Sequence, residues 1–112
     1  MSHDVKFSGQ ITPEQVNDFA EQGIKTIINN RPDGEAPDQP TSEAIAEACE
    51  QAGVAYKEIS FAGNALTQAH VEEFAEYFNQ AEQPVLMFCR TGNRSNGLFE
   101  VAKQMDLLDD RE

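Results

Sequence analysis

The stretch that decides the fold is Pro84-Val85-Leu86-Met87-Phe88-Cys89-Arg90-Thr91-Gly92-Asn93-Arg94-Ser95. Val85 to Phe88 is an unbroken apolar run behind a proline, the pattern of a central strand buried on both faces. From Cys89 onward every residue to Ser95 is polar, glycine or cationic, apart from the cysteine itself. Leu98, Val101, Ala102 and Met105 then recur at helical spacing. The reading is strand, tight loop, helix, with Cys89 at the carboxyl end of the strand. That is where an open α/β sheet places its ligands.

Chemistry follows from this layout. Successive N–H groups in a tight loop entering a helix form a concave anion site, reinforced by the positive end of the helix dipole. Gly92 allows a turn that a side chain would obstruct. A cysteine in such a cradle, with Arg90 and Arg94 close in sequence, is expected to titrate below the free value of about 8.5. Its thiolate is then a nucleophile facing whatever anion the cradle holds. Arg94 can fork two hydrogen bonds to that anion, and Thr91, Gly92, Asn93 and Ser95 join Arg90 as binding candidates.

The flanking segments alternate strand and helix. Val5 to Ser8 reads as a weak edge strand, and Thr12-Pro13-Glu14-Gln15 as a helix start with a capping box. Val16, Phe19 and Ala20 form that helix's buried face, and Ile24 to Asn29 is the next strand. Thr41 or Ser42 caps a helix carrying Ile45, Ala48, Cys49 and Ala52; Val54 to Ile59 follows as a strand. Thr67 caps a third helix, to about Gln80, buried through Val71, Phe74, Ala75 and Phe78. The last helix is expected to end near Leu107 or Leu108, before a solvated tail from Asp109 to Glu112. The fold class is therefore α/β: one domain over residues 1–112, with helices on both faces of a largely parallel sheet of four to five strands.

Arg31 ends the second strand, on the side of a parallel sheet where Cys89 lies, and is a further binding candidate. Asp33 could orient Arg31 or serve as an acid, whereas Glu35 and Asp38 read as solvated. Phe61 or Asn64 lines the site on the loop from Phe61 to Leu66. Cys49, on an apolar stripe with no cationic neighbour, reads as a core residue. His70 reads as an exposed helix residue and His3 as part of a frayed terminus. No second histidine stands at metal-ligand spacing, so no metal or cofactor is expected.

With 112 residues the chain can build one core but not two. The formal net charge of −12 argues against nucleic acid or an anionic membrane as partner. It does not argue against a small anionic substrate or a phosphorylated or persulfidated partner. Three of the four arginines (Arg31, Arg90 and Arg94) lie in the two candidate loops, which permits a locally positive field. Two cysteines make no disulfide framework, and Met1-Ser2-His3-Asp4 begins no apolar leader, so a reduced cytoplasmic setting is the expectation. Oligomeric state is not legible.

Cys89-Arg90-Thr91-Gly92-Asn93-Arg94-Ser95 resembles the active-site loop of the cysteine-dependent phosphatases and of their chemical cousins, the rhodaneses. Together with Asn29-Asn30-Arg31-Pro32-Asp33-Gly34-Glu35, it is similar to a small bacterial group in that superfamily. This is the phosphatase-like domain also found fused to β-lactamase-like hydrolases. The resemblance runs from about Val5 to Met105 and implies a dual-specificity-phosphatase-like fold. It also implies that Cys89 is the nucleophile, that Arg94 holds the phosphoryl oxygens, and that the Ser95 hydroxyl eases departure of the cysteine sulfur.

Two departures stand out. The common phosphatase loop has five residues between cysteine and arginine, whereas Cys89 and Arg94 have four between them. A shorter loop makes a smaller cradle, as in many rhodaneses, and Arg90 directly after the cysteine is rhodanese-like too. Dual-specificity phosphatases also carry an aspartic acid on a loop before the cysteine strand, and the matching Ser60-Phe61-Ala62-Gly63-Asn64 has no carboxylate. The leading reading is a phosphatase-like hydrolase working through a phosphocysteine. The alternatives are a rhodanese-like sulfurtransferase carrying a persulfide on Cys89, and a non-catalytic anion- or partner-binding module.

Overall fold

The computed structural model describes residues 3–109. Four strands and four helices alternate: β1 (Val5–Ser8), α1 (Pro13–Glu21), β2 (Thr26–Asn29), α2 (Ser42–Ala52), β3 (Ala55–Glu58), α3 (Gln68–Gln80), β4 (Val85–Phe88) and α4 (Asn93–Gln104). All strand pairs are parallel, in the order β1-β4-β2-β3. The last strand thus lies between the first two, and the Val85–Phe88 run is buried throughout.

Its side chains alternate between two apolar layers, which is why all four had to be hydrophobic. Val85 and Met87 join Ile28 and the α3–α4 side chains Val71, Phe74, Phe78, Leu98 and Phe99. Leu86 and Phe88 join Ile27 with Val16, Ile45 and Cys49 of the α1–α2 layer. The chain steps across the sheet from β1 to β3 and then back to β4. A constant crossover hand therefore puts α1 and α2 on one face and α3 on the other, where α4 packs beside α3. Loops leaving β1 and β2 turn to one face and the loop leaving β4 to the other. This opens a crevice at their carboxyl ends.

The helix starts follow the expected caps. Thr12 and Gln15 form a reciprocal box at α1, and the Thr41 hydroxyl accepts the Ala44 amide at α2. Three expectations are corrected. α4 stops at Gln104, where Asp106 takes a left-handed φ of 60°. The Asp106 and Leu107 amides then donate to Lys103 and Ala102, a Schellman closure that turns Leu108 into the core. His3 is not frayed: its Nε2 lies 2.7 Å from the Asp109 carbonyl and its ring meets Phe78 and Phe99 edge-on. His70 is not simply an exposed helix residue. It closes a capping box on Thr67 and stacks its ring on Phe61 at 5.2 Å. Of the expected terminal tail, residues 110–112 lie outside the described residues.

Phe74, fully buried between α3, α4 and the sheet, is the sharpest test of this packing. Phe74→Ala is expected to destabilise the fold by about 3–5 kcal/mol. Met105→Ala, at the exposed end of α4, is expected to change it by no more than about 0.5 kcal/mol. Urea midpoints of the two variants check the contrast.

Candidate active site

Register aligns the strand ends. Ser8, Phe88 and Asn29 stand side by side, so the residues after them emerge together. The Cys89 amide still donates to the Ser8 carbonyl at 3.2 Å, which fixes where the β4 loop begins. Two glycines allow that loop to press against the end of β1. Gly92, with φ 97°, packs on the Ser8 backbone, and a Cβ at Gly9 would lie 3.0 Å from the Arg90 carbonyl oxygen. A side chain at Gly9 would push the loop out of place, a constraint that strand patterning alone did not reveal.

Gly92 is the N-cap of α4, and its amide points at the Cys89 sulfur at 3.1 Å. Cys89 itself is buried. That burial works against the thiolate, but the Ser95 amide and hydroxyl with the Thr91 and Gly92 amides outweigh it and hold the thiol below its ordinary value. Ser95 Oγ is wholly buried and makes no hydrogen bond of ordinary geometry. It nevertheless lies close enough to the sulfur to favour its charged form. The Asn93 amide turns instead to the Thr91 hydroxyl at 3.3 Å.

The arginines act differently from the sequence expectation, since neither is what lowers the thiol. Arg94 is anchored end-on by Glu35, Nη1 to Oε2 and Nη2 to Oε1, both at 3.2 Å. Nη1 also donates to the Asn30 and Phe61 carbonyls. The Nε–Nη2 edge faces Gly63, which lines the same cleft as Cys89, Arg90, Thr91, Asn93 and Arg94. That edge is a second bidentate fork, turned toward the cysteine cleft. Arg90 is exposed at the rim.

Glu35 is the residue that sequence reasoning misplaced. It does not stand free in solvent: Arg31 Nε donates to the same carboxylate at 2.9 Å, and Arg31 Nη1 reaches the Gln10 side chain at 3.0 Å. Partial desolvation opposes its charge. The hydrogen bonds and charges of Arg94 and Arg31 prevail and hold it below the usual carboxylate range. It is thus ionised at neutral pH and a poor proton donor. Asp33 does not orient Arg31; its carboxylate accepts the Ser42 amide at 2.7 Å, at the start of α2. Phe61 contributes its carbonyl rather than its ring, and Gly63, not Asn64, lines the cysteine cleft. Spacing was the available signal for Glu35, which follows Arg31 by four residues.

No group of three or more His, Cys, Asp or Glu side chains placed to hold a metal occurs among the described residues. None of the helices described is long and apolar enough to cross a membrane.

Residues 1–106 match the family model described as beta-lactamase hydrolase-like protein, phosphatase-like domain. A beta-lactamase hydrolase-like protein of Xylella fastidiosa (strain Temecula1 / ATCC 700964) is 35% identical over 99 residues, 88% of this chain and 23% of that protein. The chain therefore spans under a quarter of the curated relative's length. A provisionally assigned phosphatase of known structure from Neisseria meningitidis Z2491 is similar at TM-score 0.85 and 36% identity, over 94% of this chain and 75% of that one. The core catalytic domain of the PP-IP phosphatase SIW14 from S. cerevisiae matches at TM-score 0.70 and 18% identity, over 96% and 67% of the two chains. That last likeness bears on the fold alone, and it fits the expected dual-specificity-phosphatase-like architecture.

The two cysteines should react very differently. Burial pushes the Cys49 thiol up to about 11, whereas Cys89 is held low, so iodoacetamide at neutral pH is expected to modify Cys89 alone. A lowered pKa moves the midpoint of the rate–pH curve to lower pH, and Ser95→Ala is expected to move it back upward. Peptide mass mapping of each cysteine across a pH series reads both effects.

Proposed function

The chain belongs to the phosphatase-like domain family of the beta-lactamase hydrolase-like proteins, and on that footing we propose a cysteine-dependent hydrolase of phosphoesters. The observation that carries the reading is the Gly92 amide 3.1 Å from the Cys89 sulfur at the head of α4. An amide so placed favours a thiolate, the form in which sulfur attacks phosphorus.

In the proposed reaction the Cys89 thiolate attacks phosphorus, forming an S–P bond as the bond to the leaving oxygen breaks. The Nε–Nη2 edge of Arg94 stabilises the equatorial oxygens as charge shifts. Water then attacks phosphorus, the S–P bond breaks, and its electron pair returns to the sulfur. The Ser95 hydroxyl, buried against that sulfur, donates to it as it leaves. Glu35 acts at one remove, as a positioning residue whose carboxylate fixes the Arg94 plane.

One observation favours a second reading. The residues lining the cysteine cleft are Gly63, Cys89, Arg90, Thr91, Asn93 and Arg94, with no carboxylate to protonate a leaving group. Sulfur transfer has no such need. The thiolate would take the outer sulfur of thiosulfate, forming a persulfide and releasing sulfite, and then pass that sulfur to cyanide as thiocyanate. Hydrolysis in the same cleft is best suited to esters with acidic leaving groups.

The test pairs an aryl phosphate with thiosulfate plus cyanide. Aryl phosphate turnover that is lost in Cys89→Ser supports the hydrolase, and thiocyanate formation alone replaces it with the second reading. On the active substrate, Arg94→Lys is expected to lower kcat at least about tenfold, because lysine keeps the charge but loses the fork. An equally small loss in Arg94→Lys and Arg90→Lys would remove Arg94 from the catalytic machinery.

A further inference from the structure

We propose that the cleft beside the cysteine cradle is a second phosphate subsite. The substrate then carries another phosphate group next to the one that Cys89 attacks; for its cysteine end this rests on the hydrolase reading. The cleft, about 360 Å³, is lined by Arg31, Glu35, Ala36, Arg90 and Arg94. The cysteine cleft, about 410 Å³, includes Arg90 and Arg94 in its own lining. The two hollows therefore share a wall of two guanidiniums, and a ligand reaching from one to the other keeps contact with both.

Charge decides what the second hollow takes. On a chain of net charge −12, Arg31, Arg90 and Arg94 all line this one cleft, against the single carboxylate of Glu35. Its formal charge is thus +2. A purely structural ion pair would balance one guanidinium with one carboxylate. Here Glu35 is divided between Arg31 and Arg94, whose side chains are only 6% and 15% exposed. Arg31 has the neutral Gln10 amide as its other side-chain partner. The two guanidiniums withdrawn from water thus share one carboxylate, and the charge left over, with that of exposed Arg90, is best compensated by an anion from outside. A phosphate matches that surplus, and the Arg90 guanidinium, which lines both hollows, offers it a planar fork. Arg90 is exposed at the junction, where its side chain lines both hollows and can turn to either.

The test uses protection of Cys89 from iodoacetamide in the full chain, and so needs no turnover. Orthophosphate reports the cysteine cradle alone; methylenediphosphonate, which cannot be hydrolysed, reports both hollows. The diphosphonate is expected to protect at a concentration at least about tenfold lower, equivalent to about 1.4 kcal/mol. Arg31→Gln should shrink that gap to less than about threefold, equivalent to about 0.65 kcal/mol. Should Arg31→Gln fail to fold, Ala36→Asp puts a negative charge into the second hollow only and should also narrow the gap. Lys103→Gln removes the same charge in the last turn of α4 and should leave the gap intact.

Equal protecting concentrations for the two anions would overturn the subsite. So would a gap that survives both Arg31→Gln and Ala36→Asp, or one that Lys103→Gln narrows as much. Failure of both anions to protect Cys89 would overturn the anion cradle itself, and the hydrolase reading with it.

Discussion

The Gly92 amide on the Cys89 sulfur is the contact on which the other features of this domain converge. It requires a strand that ends one residue before the cysteine, a turn that only a left-handed residue completes, and a helix that starts at once. Each requirement has its own support: β4 is locked between β1 and β2, Gly92 sits at φ 97°, and α4 is anchored through Leu98, Phe99 and Ala102. A thiol placed here is opposed by its own burial and favoured by amides that cannot rotate away. The fixed dipoles prevail. This is preorganisation in a plain form, since the folding energy of two core layers holds donors that the sulfur alone could not gather.

Around this neutral cradle the arginines form a separate device. Glu35 binds one guanidinium end-on and another through Nε. It thereby ties the loop after β2 to the head of α4. The same carboxylate explains how an acidic chain sustains a positive site. The chain as a whole is strongly acidic, but the carboxylate in this cleft is already committed to orienting cations. Because Arg94 meets Glu35 with one edge and faces Gly63 with the other, structural and ligand-facing roles coexist on one side chain.

Much of this was legible in the sequence where a local pattern has one physical solution. Val85–Phe88 could be apolar throughout only as a central strand, and Thr12 with Gln15 or Thr41 before a periodic run could only start helices. The cysteine loop was legible for the same reason, because strand, glycine and helix follow within a few residues. Contacts between distant segments were not. Only its place four residues after Arg31 tells Glu35 locally from Asp33 and Asp38, and its other partner, Arg94, is 59 positions away. Gly9 gained its meaning from a loop about 80 residues later. His70 read only as an exposed helix residue, because a histidine three residues after Thr67 is not the usual partner of a capping box. The ring instead accepts a hydrogen bond at Nδ1 as part of a cap. The end of α4 was misplaced because apolar Leu107 and Leu108 continued the pattern, whereas Asp106 turned the chain before them.

The central claim is that the Cys89 sulfur forms a bond to the phosphorus of a substrate. Intact-protein mass spectrometry after rapid acid quench of turnover with an aryl phosphate tests it most directly. Ser95→Ala serves as the trapping form, because it removes the hydroxyl beside the departing sulfur. The account predicts a phosphoryl adduct that maps to Cys89 in Ser95→Ala and is absent from Cys89→Ser. Sustained phosphate release by Cys89→Ser, or an adduct mapping to any other residue, would contradict it.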